Sequence, residues 1–415
     1  MSDGSLWRDR RFNLFWTGQT LSTVGDAFTA VAFPLLIYRT TGSIAKMTAL
    51  TACFAAGAVA SGVVAGSIVD RVDRRRLLLA TDAARAVLMA MVPIAAWFGF
   101  LSFSLLAVIA AAMGLLGNTF GIAYVAFVAE LVTKQRVTEA NARLQATAAA
   151  SFVVGPALAG FTIEAWGPAT AVGVDAISFV VSFFSLAAMA GSRAPPAAEP
   201  AAADDEEQEG HRRGGLVAGA RFVASSPVLR TLALILSAEI LITAAALDLF
   251  TYHLKSTLHQ SDARVGTMFA VASVGAVVGA ILSTRAKRRL GMRATYVATG
   301  FVLALALALV PLAGSFLVTA AIAVGFAFAS AMRGILSMSR RQEVTPDRLL
   351  GRVTAAFWLT LSGARMLGAY VVGLVAAVHG NASTCRWLAA ALFVIALLTI
   401  AARSLDARAT GKRSA

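Results

Sequence analysis

The sequence predicts an all-α membrane protein of twelve transmembrane helices, arranged as two pseudo-symmetric six-helix bundles. Three observations predict it. Of 415 residues, 58% are hydrophobic and only 14% charged, with a mean hydropathy of +0.74, whereas a soluble domain carries about a quarter charged residues. The apolar residues gather into runs of the roughly 20 residues that a bilayer crossing needs. The basic residues sit in short clusters that recur in alternate gaps between those runs. A net charge of +14 in a soluble chain would suggest nucleic acid. Here it reads as topology, so the expected partner is the lipid bilayer and no nucleic acid is expected.

The runs of the first half fall at Phe12–Tyr38, Ile44–Val69, Leu77–Phe100, Phe103–Val128, Leu144–Trp166 and Thr170–Ala190. Those of the second half fall at Leu229–His253, Gly266–Thr284, Ala294–Leu312, Phe316–Met338, Val353–Val378 and Trp387–Ala402. The third and fourth are separated only by their combined length, Gly99 and Ser102. The first run is too long for a signal-peptide core and carries Asp26, so it is expected to be a retained first span.

Orientation comes from charge. With the N-terminus inside, 28 of the 36 Lys and Arg lie on the inner side, and Arg39, Lys46, Lys255, Arg264 and Arg386 lie outside. Arg85, Arg333 and Arg365 fall within spans. A miscounted helix would invert every later loop and destroy this bias. Both termini are therefore expected in the cytoplasm, with the chain in the inner or plasma membrane.

Between the halves the pattern breaks into the Pro-rich stretch Ala194–Pro200 and the acidic run Asp204-Asp205-Glu206-Glu207, which read as a disordered linker. Leu216–Val223 reads as a short amphipathic stretch on the inner leaflet. The expected organisation is a bundle over 1–190, a linker over 191–226, a second bundle over 227–403 and a tail over 404–415. The halves repeat. Gly66 followed by Arg74-Arg75-Arg76 recurs as Gly279 followed by Lys287-Arg288-Arg289 at matching offsets. Val132-Thr133 with Arg136-Val137 recurs as Val344-Thr345 with Arg348-Leu349. Agreement in register and topological position argues for duplication, as in transporters built from repeated halves.

Several chemistries lack support. Cys53 and Cys385 lie far apart in apolar runs and form no disulfide framework or metal spacing. No phosphate-binding glycine loop, dinucleotide fingerprint or zinc-protease motif occurs. Neither cofactor nor metal is expected, and the chain reads as a transporter, not an enzyme.

The strongest local signal is Gly66-Ser-Ile-Val-Asp70-Arg71-Val-Asp73-Arg74-Arg75-Arg76, after the second span. Gly66 permits close helix approach, and Asp70 suits a helix N-terminus or an arginine cluster at a cytoplasmic gate. The run resembles the signature of the major facilitator superfamily, with Asp73 in place of a second glycine. Arg11-Phe12 to Gly18-Gln19, Gly25-Asp26, Ala32-Phe33-Pro34, Asp82 with Arg85, and Gly351-Arg352 look like its macrolide-efflux and enterobactin-exporter branch. Gly155-Pro156-Ala-Leu-Ala-Gly160 resembles the span-five element of the drug/proton antiporters. That resemblance implies export, and it implies that span five packs on span eight at Gly275 and Gly279. Many such antiporters carry an arginine in span four. This chain has none there, and Asn118 is the main polar side chain of that run.

Ionisable residues inside spans are the sharpest clues, because a charge at the bilayer centre costs about 2.5–3.5 kcal/mol on insertion scales. Gln19, Ser22/Thr23, Asp26 and Thr29 share helical spacing and form one polar stripe on span one. Asp26 is the first candidate to carry a proton. Glu239 in span seven, the mate of span one, is the second. Arg365 and Arg333 each need a carboxylate or a substrate anion. Asp82 with Arg85, and Asp175, read as structural groups at peripheral helices. Phe28, Tyr124, Phe250 and Phe326 are expected cavity aromatics.

The reading is proton-coupled efflux of a hydrophobic or amphipathic small molecule, a drug or natural product, by a monomer. An exporter of one anionic metabolite such as a siderophore, using Arg333 and Arg365, is the first alternative. A lipid flippase or membrane sensor on the same fold is the second. The topology has a direct test. A membrane-impermeant thiol reagent on intact cells is expected to spare cysteines placed at Ser2, Ala202 or Ser414 and to label one at Gly314. Labelling at Ala202 from outside would overturn the helix count.

Overall fold

The computed structural model describes Leu6 and residues 9–69, 72–189 and 217–406, with side chains 63–69, Lys134, Asp347, Arg348 and Arg403 excepted. Asp70, Arg71 and most of the linker thus lie outside the described residues. Within them the chain is helical and has no strand, and twelve helices are long and apolar enough to cross a membrane.

The first half runs α1 (Arg10–Thr41), α2 (Ile44–Val69), α3 (Arg74–Trp97), α4 (Phe103–Leu131), α5 (Val137–Trp166) and α6 (Pro168–Ala187). Asp9 caps α1, accepting from the amides of Arg11 at 2.9 Å and Phe12 at 3.1 Å. Asp73, which stands where the resembled motif has glycine, caps α3 by accepting from the Arg76 amide at 2.8 Å. A carboxylate there satisfies a free helix N–H and complements the dipole. The thin boundary between spans three and four holds for local reasons. Gly99 turns the chain at φ +75°, a conformation glycine adopts without strain, and Ser102 caps α4.

The second half runs α7 (217–225), α8 (Pro227–Thr243), α9 (Ala246–Tyr252), α10 (Asp262–Leu290), α11 (Met292–Leu309), α12 (Phe316–Val344), α13 (Asp347–His379) and α14 (Asn381–Ala401). Span seven, expected as one helix, is discontinuous. It breaks at Ala244–Ala245, resumes as α9 and ends in a π turn at His253–Thr257. The break lies just over one turn beyond Glu239, and interrupted helices are a recurrent feature beside transporter sites. Phe222 and Val223 of α7 pack against a buried cluster that includes Leu232, Tyr296 and Phe357. Phe222 and Val223 of the stretch expected on the inner leaflet are partly buried by this contact.

The described chain forms two compact units. The first holds α1–α6 together with Gln260–Ala270, and the second holds α7–α9 and the remainder from Val271 onward. In the first unit α1 packs on α5 and α6, α3 on α4 and α6, and α2 on α4. In the second, α8 packs on α13 and α14, and α11 on α12 and α14.

Span five meets span eight at a different place from the one the resemblance implies. A Cβ on Gly160 would stand 2.8 Å from the Gly266 Cα, so the two backbones approach closely only because both residues are glycine. Gly275 and Gly279 instead face the Val324 and Phe328 carbonyls of α12. Two polar contacts hold the same α10 start. Arg39 at the end of α1 pairs with Asp262, and Glu164 of α5 accepts from the Ala263 amide at 2.7 Å.

Candidate functional site

A cavity of about 660 Å³ opens within the first unit. The stripe predicted on span one lines it: Gln19, Ser22, Thr23, Asp26 and Thr29 all face the space. Asp26 is exposed to it. It makes no ion pair or side-chain hydrogen bond among the described residues, although the charges of Arg85, Asp82 and Asp175 act on it. Apolar walls come from Phe33, Phe54, Phe120 and Tyr124, with Met47, Met89 and Met113 between them. Aromatic faces and flexible thioethers accommodate varied apolar shapes.

Of the four expected aromatics only Tyr124 reaches this cavity. Phe28 is buried on α1 away from it, and Phe250 and Phe326 pack on each other at 5.8 Å in the second unit. Asn118 misses the cavity as well. Its amide donates to Ser61 Oγ at 3.2 Å and the Ala58 carbonyl at 3.4 Å, tying α4 to α2. An amide inside a span needs such partners, and a neighbouring helix supplies them.

Asp82 and Arg85 form the structural pair expected of them, and Arg85 and Asp175 also line the cavity. Arg85 pairs with Asp82 and lies between the Phe120 and Phe179 rings, 4.2 and 4.3 Å from their centroids. Asp82 also accepts from Ser182 Oγ at 2.6 Å, and Ser182 in turn accepts from Gln19 Nε2 at 3.0 Å. Asp175 lines the cavity, accepting from Thr29 and, at 3.0 Å, from Ser178. A continuous polar line thus joins α1, α6 and α3. Its signal was present in the sequence: Asp175, Ser178, Ser182 and Ser185 repeat at helical spacing on span six, as the stripe on span one does.

Glu239 and Arg333, predicted separately as cavity groups, are each other's partner. Arg333 donates through Nε to Glu239 at 2.9 Å and through Nη2 to the second carboxylate oxygen. Its Nη1 reaches Thr299 Oγ1 at 3.0 Å and the Tyr296 carbonyl. The guanidinium lies 4.4 Å from the Tyr296 ring centroid, and all four groups are buried. A buried, bidentate arginine with four of its N–H groups engaged offers little to a passing anion. Glu239 stands as far beyond Asp26 as Gly279 does beyond Gly66. The same register position therefore holds a paired acid in one unit and an unpaired one in the other. Arg365, by contrast, is exposed on α13.

The basic run after span two and its repeat after span eight are each anchored by an ion pair. Arg74 pairs with Glu130 at the end of α4, and Lys287 pairs with Glu343 at the end of α12. These are the same pair one repeat apart, which sequence reading missed although the offset that matched the glycines predicts it. Arg75 donates to the Leu186 carbonyl at 3.0 and 2.8 Å and to Ala187 at 3.0 Å, capping α6. In α5, Gly155 lies against Ala27 of α1, and Pro156 brings its carbonyl to Gly266.

The family model of the Major Facilitator Superfamily matches residues 15–369. The chain belongs to that superfamily. It is 28% identical over 294 residues to the multidrug efflux pump Tap of Mycobacterium tuberculosis, covering 68% of this chain and 67% of that protein. It is 24% identical over 409 residues to the enterobactin exporter EntS of Escherichia coli, covering 94% and 91%. Among solved structures, a bacterial homologue of the human lysosomal transporter Spinster shares the fold, with a TM-score of 0.74, 14% identity and 97% of each chain covered. Membership of the superfamily, with twelve helices apolar enough to cross a bilayer, makes the chain a multi-pass membrane transporter and not an enzyme.

The buried pair has a stability consequence. Removing one partner leaves an uncompensated charge and costs about 3–5 kcal/mol. Glu239→Gln is expected to lower the unfolding temperature of the detergent-purified protein markedly. Arg333→Met added to it should restore much of the loss, because the stranded charge is gone. Unfolding of Glu239→Gln at the parent's temperature would show that the pair is not a strut.

Proposed function

We propose that this transporter exports a hydrophobic or amphipathic small molecule by alternating access, driven by inward proton movement, with Asp26 as the proton-carrying group. The observation that carries the reading is Asp26 itself: a carboxyl in the wall of a 660 Å³ cavity, without the direct partner that its repeat mate Glu239 possesses. A charge in that setting favours a hydrated cavity, and its neutral form tolerates a closed, drier one. Proton exchange then biases two cavity shapes, which is the coupling that transport against a gradient requires. Each charge carried inward contributes about 2.3 kcal/mol per 100 mV. The mixed aromatic and methionine walls suit a bulky apolar body, and the names of the relatives point to export. In this reading the protein works as a monomer in the cell's inner membrane with both termini cytoplasmic, and Asp70, Arg71, Arg74 and Arg75 form the inner gate.

The test uses proteoliposomes and a neutral probe, N-phenylnaphthylamine, with and without an imposed pH gradient. Asp26→Asn mimics the protonated side chain in size and neutrality. It is expected to keep probe exchange and to lose accumulation driven by the gradient, while Asp26→Glu keeps part of it with a shifted pH optimum. If Asp26→Asn answers the gradient as the parent does, the proton travels elsewhere.

A further inference from the structure

Three arginines fall within the apolar runs of the sequence, and two of them are satisfied by protein: Arg85 by Asp82 and Arg333 by Glu239. Arg365, in the middle of α13, differs. It has no ion pair or hydrogen bond among the described residues, and no acidic side chain among them acts on its charge. It is nonetheless exposed.

The pattern of burial along α13 says where that exposure points. One stripe of the helix, Leu367, Tyr370, Val371, Leu374 and Val378, is exposed and almost wholly apolar, as a lipid-facing surface should be. Arg365 lies on the other side, two turns from Trp358, which is 64% exposed, with half-buried Ser362 between them. Farther along the helix that same side closes, because Ala369, Val372 and Ala376 are buried. The Arg365 face is therefore open at one end of α13 and packed at the other, away from the apolar stripe. An arginine at membrane depth is costly unless it meets water or an anion, and this one meets no protein acid.

The geometry points to Arg365 as the receptor for an acidic group (carboxylate, sulfonate or phosphate) on the transported amphipath, with the Trp358 indole available to its apolar body. The inference rests on the efflux reading above and names its substrate class. A guanidinium matches such oxygens with paired N–H donors, and its neighbours Trp358 and Ser362 add stacking and a further hydrogen bond. Arg333 cannot share the task, since Glu239, Thr299 and Tyr296 already take its donors.

The test compares two probes of one skeleton in proteoliposomes: neutral N-phenylnaphthylamine and anionic anilinonaphthalene sulfonate. Arg365→Gln is expected to weaken the sulfonate's apparent affinity about tenfold or more, the scale of one charged contact, and to leave the neutral probe unchanged. Arg365→Lys should keep part of the preference. Equal effects of Arg365→Gln on both probes, or none on either, would overturn the proposal while leaving the efflux reading intact. Loss of both probes in Arg365→Gln and Arg365→Lys alike would make the residue structural and overturn it too. Failure of the parent to move either probe would sink the efflux reading and this inference together. The comparison is run in phosphatidylcholine vesicles with and without phosphatidylglycerol. A sulfonate effect confined to vesicles with the anionic lipid would assign Arg365 to lipid and overturn the proposal.

Discussion

Everything distinctive in this chain follows from the cost of an uncompensated charge in hydrocarbon. Each span-interior charge must find a partner, a cavity or a ligand, and the helices are arranged so that nearly all do. Asp82 and Arg85 meet each other between two aromatic rings, and Ser182 completes the carboxylate. Glu239 meets Arg333 against Tyr296. Each unit is thereby built around one buried ion pair whose guanidinium also lies over an aromatic ring. Breaking either pair would strand a charge, which makes both good struts and poor carriers.

Duplication sharpens the contrast. The motif pairs Arg74–Glu130 and Lys287–Glu343 are equivalent in register, so this end of each unit has kept the repeat. The acids of spans one and seven have not. Their positions correspond, yet Glu239 is consumed by Arg333 and Asp26 lines an open cavity. Asp26 can change charge without breaking an ion pair or a side-chain hydrogen bond among the described residues. The same logic singles out Arg365, which no described acid neutralises.

The sequence alone carried the twelve spans, the repeat and the stripe on span one, since lipid imposes length and polarity rules that need no tertiary knowledge. It also carried the boundary between α3 and α4, where Gly99 and Ser102 act locally. What it could not carry was partnership. Nothing in a linear reading joins Glu239 to Arg333 or Asn118 to Ser61, because those contacts depend on which helix faces which. Phe28 and Phe326 misled for the same reason: spacing identifies a span but not the side of it that meets a cavity. The polar line on span six was legible, and reading Asp175 alone instead of with Ser178, Ser182 and Ser185 concealed it.

Paired acids that brace the bundles and an unpaired Asp26 that changes protonation differ in one observable. Infrared difference spectroscopy of the purified protein in lipid, recorded between acidic and alkaline pH, reports carboxyl protonation directly. The account predicts a titrating carboxyl band that is absent from Asp26→Asn and retained in Glu239→Gln. A band that persists in Asp26→Asn and disappears with Glu239→Gln would contradict it.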